Sequence, residues 1–312
     1  MEIMFVIISL IFIGYISKYL GILKEGDRSV LNNVVVYIFM PSTVFLTIIK
    51  NVSPEELPLF IKLPILIFFI FTLCGILGYV VGRYLRLERK SVGGLILVCA
   101  LGNTGFLGYP VIYGFYGDPG LVRAIFCDMG SVITSLLIGT FVGITFGEGR
   151  REEGSTSLYI IKKLLTFPPF IACILSILFV ILNIGMEDIP TFVVDTLDYL
   201  SRATVPLIMI SLGLSLSPSS TKFGIKYGIL TLLVKMGIAP ILALALSMLF
   251  FIEGLERNVL ILQSAMPSAM MSLVFSLLYR LNVKLVASAC FITTITSLVF
   301  LPILKEILRA MV

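Results

Sequence analysis

The chain has 312 residues, of which 58% are hydrophobic and 13% are charged, and its formal net charge is +5 at pH 7. A mean hydropathy of +1.10 is too apolar for a water-soluble domain of this length, so the composition predicts a polytopic membrane protein. Histidine is absent, which excludes imidazole metal sites and Ser-His-Asp triads. The five cysteines stand singly in apolar runs without CxxC spacing. We therefore expect no metal site, no cofactor and no enzymatic activity.

Ten apolar runs predict ten membrane-spanning helices, because each run is long enough to cross roughly 30 Å of hydrocarbon at about 1.5 Å per residue. The first run lacks the basic leader and cleavage site of a signal peptide, so we expect it to remain in the protein. In chain order, the predicted helices lie near residues 3–19, 31–49, 61–82, 92–115, 121–146, 164–184, 196–216, 224–250, 258–279 and 285–304.

The distribution of basic residues predicts the orientation of these helices. Fifteen of the 23 Lys and Arg residues, among them Arg86, Arg150 and Lys222, lie in loops that follow odd-numbered helices, and seven lie on the opposite side. By the positive-inside rule the richer side is cytoplasmic. The expected protein is therefore a multi-pass protein of the cell membrane with both termini outside.

The two halves of the chain resemble each other at a constant offset of 165 residues, which relates Pro41 to Pro206, Ala100 to Ala265, and Phe126 to Phe291. Chance similarity between apolar helices is the alternative, but one offset that serves three different helices favours an internal repeat. Because each half holds five spans, we expect the second copy to be inverted relative to the first. The predicted division is a first repeat over 1–147, a cytoplasmic linker over 148–163 and a second repeat over 164–312.

A stretch of glycine, polar residues and proline interrupts the fourth predicted span over 102–110. Glycine and proline weaken helix hydrogen bonding, while Asn103 and Thr104 supply donors and acceptors at membrane depth. A helix broken there presents the positive end of one half-helix and the carbonyls of the other, an arrangement that can bind an anion. We therefore expect Asn103, Thr104, Gly105 and Pro110 to contribute to a binding site. A simple proline kink is the alternative.

Four segments carry a resemblance to a known family: GYISKYLGIL, LNNVVVYIFMPSTVF, GNTGFLGYPVIYGFYG and DMGSVITSLLIGTF, which begin at Gly14, Leu31, Gly102 and Asp128. In these segments the chain resembles the auxin efflux carrier family, whose prokaryotic members are similar to malate and malonate permeases. The resemblance implies an all-α fold of ten helices related to bile-acid sodium symporters and sodium/proton antiporters. It implies a scaffold of helices 1, 2, 6 and 7 and a moving core of helices 3–5 and 8–10, in which broken helices 4 and 9 cross.

By that resemblance, Asn103 corresponds to the polar residue that holds the substrate carboxylate, and Pro110 and Pro267 correspond to the crossover prolines. The chain differs from plant auxin carriers in its short loop between the halves. Its third predicted helix also holds no charged residue beyond Lys62. A carboxylate other than auxin is therefore the expected substrate.

The ninth predicted span carries a second interruption around Pro267. Gln263, Ser264 and Ser268 flank this proline, and Ser268 matches Asn103 at the offset of 165 residues. We expect these residues to complete the binding site from the second half of the chain. The alternative is a structural role, because a serine hydroxyl can bond to its own helix backbone.

Asp128 and Lys235 lie deep within the fifth and eighth predicted helices. An isolated charge at the bilayer centre costs roughly 2.5–3.5 kcal/mol on insertion scales, so such residues usually face the interior and pair. We predict that the two side chains approach each other behind the crossing of the broken helices. The pair would be either a static ion pair or a proton-coupling element, and Lys235 facing the substrate as a counter-charge is a further alternative.

These features predict a secondary active transporter that exports or exchanges a small organic anion, a mono- or dicarboxylate, by an elevator-type movement of core against scaffold. No GxxxxGK(S/T) loop occurs, so a proton or sodium gradient is expected to supply the energy. An ion channel or a membrane receptor without a transport cycle is the alternative. Expected partners are the anion, the coupling ion, membrane lipid and, as one option, a second copy of the chain in a homodimer. Nucleic acid is not an expected partner.

Overall fold

The computed structural model describes residues 2–24, 26–148, 156–215 and 224–310, and the regular secondary structure within these ranges is helical. This confirms the all-α prediction. The α-helices are α1 Glu2–Tyr19, α2 Asp27–Val34, α3 Met40–Asn51, α4 Leu57–Tyr84, α5 Arg89–Ala100, α6 Gly108–Phe146, α7 Thr156–Leu165, α8 Pro168–Ile181, α9 Thr191–Ser215, α10 Ile225–Leu232, α11 Ala239–Leu249, α12 Gly254–Ser264, α13 Met270–Leu278 and α14 Val283–Ala310.

Two long helical units contain a π-helical turn just before a proline. Val35–Phe39 joins α2 to α3 ahead of Pro41, and Leu233–Ile238 joins α10 to α11 ahead of Pro240. Proline lacks the N–H that would bond one turn back, and its ring crowds the preceding turn, which favours the wider π geometry there. Lys235 lies on the second of these turns.

Within the described residues, six helical units are long and apolar enough to cross a membrane, namely Asp27–Asn51, Leu57–Tyr84, Gly108–Phe146, Thr191–Ser215, Ile225–Leu249 and Val283–Ala310. Shorter apolar helices, Phe5–Tyr19 and Pro168–Ile181, occupy the first and sixth predicted spans. The fourth and ninth predicted spans are the interrupted ones. A multi-pass membrane protein is supported by these helices, while the arrangement of ten spans in two repeats remains a prediction.

The fourth and fifth predicted spans meet at a kink rather than at a loop. α6 continues from Gly108 to Phe146, and Gly117 inside it has φ +62° and ψ −155°. This left-handed φ favours glycine because a side chain would meet the backbone there. Pro119 follows two residues later and restarts the helix, since proline is tolerated in a first turn.

The helices pack in two groups. α1 packs along α9, and α3 packs along α8 and α9. In the second group α4 packs on α5 and α6, α12 packs on α6 and α11, and α14 packs on α5 and α10. Glycines permit close approach within each group, because Gly213 of α9 meets the backbone of Ile11 in α1, and Gly130 of α6 meets the backbone of Pro64 in α4. α13 packs on α14 and α6, so the second group contains all four helices that adjoin the interruptions.

The repeat boundaries 1–147, 148–163 and 164–312 remain predictions. Of the predicted linker, residues 149–155 lie outside the described part of the chain, and its last residues belong to α7. Arg150 and Lys222, two of the basic residues that predict the orientation, also lie outside it.

Candidate functional site

Both predicted interruptions are present. The fourth predicted span is broken between α5 and α6, over residues 101–107, and the ninth is broken between α12 and α13, over residues 265–269. We call these two segments the crossover. Pro110 falls in the first turn of α6, where the missing N–H of proline has no helical partner to lose. Pro267 lies in the middle of the second segment, where no helical bond requires its N–H.

The two segments of the crossover contact each other through their backbones. The N–H of Asn103 donates to the carbonyl of Pro267 at 2.8 Å, and the N–H of Ala269 donates to the carbonyl of Leu101 at 2.9 Å. These bonds form an isolated antiparallel β-bridge. An unpaired N–H or C=O costs several kcal/mol in hydrocarbon, so each interruption satisfies backbone groups that the other leaves free.

The predicted site serines are bonded to backbone carbonyls. Ser268 lies opposite Gly102 in the bridge. Its Oγ donates to the carbonyl of Val98 at 2.7 Å, and its N–H donates to Thr293 Oγ1 at 3.2 Å. Ser264 Oγ donates to a carbonyl of its own helix, α12, at 2.7 Å. Ser268 therefore fastens the second segment to the end of α5, and Ser264 has the bond expected of a structural residue.

Asn103 and Gln263 carry buried polar atoms without a hydrogen-bond partner among the described residues, namely Asn103 Nδ2 and Gln263 Oε1. Asn103 is 5% exposed and Gln263 is 0% exposed. Gln263 Nε2 makes two long contacts, of 3.4 Å to the carbonyl of Thr104 and 3.5 Å to that of Ala124. An unsatisfied buried polar atom costs about 1–3 kcal/mol. These two amides are therefore the groups of the site best placed to bind a ligand or a water molecule.

The carboxylate of Asp128 lies directly behind the first crossover segment. It is buried, and it accepts hydrogen bonds from Thr104 Oγ1 at 2.5 Å and from the Tyr109 hydroxyl at 3.0 Å. A methyl group added at Gly105 would lie 3.1 Å from Asp128 Oδ2, so glycine permits this close approach. Sequence reasoning did not assign Tyr109 to the site, although a lone acid in an apolar span requires donors and Tyr109 lies inside the predicted interruption 102–110.

Lys235 does not pair with Asp128, which corrects the prediction of an ion pair behind the crossover. Its Nζ lies 3.7 Å from the centroid of the Phe71 ring. This nitrogen has no hydrogen-bond partner among the residues that the structure describes. A methyl group added at Gly102 would lie 3.1 Å from it, so the ammonium borders the first crossover segment. The ion pair does not form because two hydroxyl donors already satisfy the carboxylate and an aromatic face holds the ammonium.

Comparison with known proteins identifies the family. The family model described as "Membrane transport protein" matches residues 1–305. The chain belongs to this membrane transport protein family. It is 51% identical to an uncharacterized transporter of Methanocaldococcus jannaschii over 96% of this chain and 95% of that protein. It is 36% identical to an uncharacterized transporter of Methanothermobacter thermautotrophicus over 97% of this chain and 96% of that protein.

A more distant relative confirms the resemblance stated from the sequence. The chain is 22% identical to auxin efflux carrier component 8 of Arabidopsis thaliana over 61% of this chain and 64% of that protein. The membrane transport protein family consists of transporters rather than enzymes, as the sequence predicts.

In this member of the membrane transport protein family, residues from both halves of the chain meet at the crossover. The predicted site residues that lie on it are Asn103, Thr104, Gly105, Pro267 and Ser268, while Pro110, Gln263 and Ser264 lie in the flanking helices. Gln263 reaches the first segment through its contact with the carbonyl of Thr104. The contacting residues that the prediction missed are Phe71, Tyr109 and Thr293. The unpaired groups here include an amide N–H and an ammonium, which is the chemistry of anion binding.

Proposed function

We propose that this protein is a secondary active transporter that carries a small organic anion, a carboxylate, across the cell membrane by an elevator-type cycle. The observation that supports this most directly is the contact between the two interrupted spans beside the unpaired amide of Asn103. An amide N–H that is buried without a partner where two helices break is suited to donate to a carboxylate oxygen. The amide N–H groups of Asn103 Nδ2 and Gln263 Nε2 would hold the substrate, the latter in place of its long contacts to backbone carbonyls. Thr104, Gly105 and Ser268 would shape the site around it.

The helix ends at the crossover favour a negatively charged substrate. α6 and α13 begin there, so their N-termini direct partial positive charge toward it. α5 ends there with carbonyl groups, but those of Leu97, Val98 and Leu101 already accept hydrogen bonds from the second half of the chain. Lys235 adds a full positive charge beside Gly102. α12 also ends at the crossover, and the Asp128 carboxylate lies behind the first segment. The positive charge is therefore local to Gly102 and Asn103, where Lys235 would stabilise a bound anion.

The packing of the helices supports an elevator-type movement. We assign α1, α3, α8 and α9 to the scaffold and α4–α6 with α10–α14 to the moving core, because each set packs mainly within itself. Thr104, Gln263 and Ser268 are 0% exposed. A substrate therefore reaches the crossover only when the core shifts relative to the scaffold. The scaffold set corresponds to predicted helices 1, 2, 6 and 7, and in the proposed arrangement each of the two inverted repeats contributes two scaffold and three core helices.

We assign coupling to Asp128, with a proton or a sodium ion as the driving ion. Its carboxylate is buried in α6 and bonded through Thr104 to the first crossover segment. Neutralising this carboxylate would weaken the bond and change the position of the segment that holds the substrate. The proposal includes the cell membrane as location and both termini outside.

Uptake into proteoliposomes tests the proposal. Labelled malate, malonate and indole-3-acetate are supplied under separate proton and sodium gradients, and at least one of them should show saturable uptake driven by one gradient. Asn103→Ala should abolish saturable uptake. Asn51→Ala is the matched control, because the Asn51 amide bonds to the carbonyl of Thr47 at 2.9 Å, within its own helix. Unchanged uptake by Asn103→Ala would reject the site, and ion flux far above carrier rates would favour a channel.

A further inference from the structure

Lys235 is a buried cation that has no anion beside it in the described structure. Its side chain is 0% exposed and its Nζ donates no hydrogen bond within the described ranges. Its Nζ lies over the face of the Phe71 ring, at 3.7 Å from the ring centroid. A buried charge without a partner destabilises a fold. A role in the resting fold alone therefore does not explain this residue.

The position of Lys235 places its charge at the crossover. The residue lies on the π-helical turn Leu233–Ile238, a type of turn that is frequent at functional sites. The Phe71 ring and the Lys235 ammonium both border Gly102, where an added methyl group would lie 2.8 Å from one ring atom and 3.1 Å from Nζ. Asn103, the next residue along the chain, carries the unpaired amide Nδ2. Two donors without a hydrogen-bond partner among the described residues therefore lie at neighbouring positions of the crossover: the ammonium of Lys235 beside Gly102, and the amide of Asn103.

We propose that Lys235 is the counter-charge that binds the carboxylate of the transported anion, together with the amide of Asn103. This inference rests on the proposed function. A carboxylate has two oxygens and accepts charge-assisted hydrogen bonds, so an ammonium and an amide N–H match its two acceptors. In the structure the ammonium lies over the face of the Phe71 ring. Substrate binding draws the ammonium from the ring to the carboxylate.

The same charges define the class of substrate. Lys235 is the single buried cation in the described part of the chain, and the buried acid there, Asp128, is negative or neutral. One carboxylate is neutralised by Lys235. A second carboxylate on the same substrate would be desolvated without a counter-charge. The substrate is therefore a monoanionic carboxylate, and a dicarboxylate enters in its singly protonated form.

Two probes, one singly and one doubly charged, test the proposed class of substrate. Monomethyl malonate and malonate share a carbon skeleton but differ by one charge at neutral pH. Their binding to the purified full-length protein is measured as the concentration dependence of the unfolding temperature. We expect monomethyl malonate to bind at least about tenfold more tightly than malonate, because its binding buries no second carboxylate without a counter-charge. Equal or tighter binding of malonate would overturn the assignment of the substrate class.

Variants of Lys235 test its role. Lys235→Met should weaken the binding of monomethyl malonate on the order of 100-fold. The unfolding temperature without ligand should stay the same or rise, because a buried charge is removed and no anion or hydrogen-bond partner among the described residues is left behind. Lys62→Met is the matched control, since Lys62 is an exposed cation near the start of α4, and it should bind as the wild type does. A structural role predicts the opposite pattern, a lower unfolding temperature with unchanged affinity, and that result would overturn the inference.

A second variant covers the case in which Lys235→Met does not fold. Phe71→Leu keeps the ammonium but removes the ring that competes for it, so monomethyl malonate should bind about threefold more tightly or better. Unchanged or weaker binding would count against Lys235 as the counter-charge. A failure of the proposed function would look different from a failure of this inference, because the wild-type protein would then neither bind nor transport any of the carboxylates. If the wild type transports them and both variants bind normally, only the role of Lys235 is wrong.

Discussion

The hydroxyl of Thr104 donates a 2.5 Å hydrogen bond to Asp128 Oδ1, and this bond joins the first crossover segment to the buried acid of α6. Thr104 follows Asn103, whose amide is unpaired. A hydrogen bond to an ionised acceptor is roughly twice as strong as one to a neutral acceptor. The charge of Asp128 therefore helps to fix the position of Thr104, the residue next to Asn103, which is the proposed substrate contact.

Replacing Thr104 with valine should lower the free energy of unfolding by about 1.5–3 kcal/mol, because the buried carboxylate of Asp128 loses a donor. Thr104→Ser keeps the hydroxyl and should lower it clearly less. Thr134→Val is the matched control, since Thr134 Oγ1 is also buried but bonds to the carbonyl of Gly130 in its own helix at 2.7 Å. Denaturant unfolding in detergent micelles measures all three variants. Equal losses for Thr104→Val and Thr134→Val would contradict a special role for the bond to Asp128.

Replacing Asp128 with asparagine should remove the dependence of uptake on the driving ion gradient while saturable substrate binding remains. Asparagine has nearly the same shape but cannot gain or lose a charge. Tyr109→Phe is the control, because it removes the 3.0 Å hydrogen bond to the carboxylate and leaves the acid in place. Uptake is measured with and without each gradient in proteoliposomes. Gradient-dependent uptake by Asp128→Asn at the wild-type level would reject Asp128 as the coupling residue.

The two interruptions could be predicted from the sequence because their causes are local. Glycine and proline at 102–110 and Pro267 weaken helical bonding whatever surrounds them. Their contact with each other could be expected from the family resemblance, which implies that helices 4 and 9 cross, and from the offset that aligns Asn103 with Ser268. In the structure, Ser268 pairs with Gly102, the residue before Asn103, in the β-bridge.

The partners of the buried charges could not be predicted in the same way. The expectation that Asp128 and Lys235 pair assumes that each charge must find the opposite charge. Instead, two hydroxyl groups donate to the acid, and the only partner that the described residues offer the lysine is the face of an aromatic ring. Which neutral group meets a charge depends on the rotation of each helix about its axis. Neither residue types nor periodicity fix that rotation within a helix that is apolar all round.

Adding a methyl group at Gly102 should disturb the crossover, because the new carbon would overlap the Phe71 ring and press on Lys235 Nζ. We expect Gly102→Ala to lower the free energy of unfolding by about 1–3 kcal/mol, the usual cost of overpacking. Gly237→Ala is the control, since nothing lies within 4 Å of a methyl group added there. It should be neutral or slightly stabilising, because alanine favours helix. The measurement is thermal unfolding of both variants. Unchanged stability of Gly102→Ala would show that the first crossover segment is not tightly packed.

The ion pair between Arg123 and Glu256 should contribute more to stability than the exposed ion pairs do. Arg123 Nε donates to Glu256 Oε1 at 2.8 Å, and both side chains are 13% exposed. The pair joins α6, just beyond its kink at Gly117, to the first turn of α12, so it ties together the two halves that meet at the crossover. Removing one partner leaves the other charge poorly solvated, and Glu256→Gln should therefore cost about 2 kcal/mol.

Arg202→Met provides the comparison for this ion pair, because Arg202 pairs with Asp198 on the surface and its side chain is 76% exposed. That variant should change the free energy of unfolding by no more than about 0.5 kcal/mol, since solvent screens an exposed pair. A double-mutant cycle of Glu256→Gln with Arg123→Met isolates the pairwise term. A coupling energy no larger than that of the exposed pair would mean that backbone pairing at the crossover, rather than this ion pair, holds the two broken spans in register.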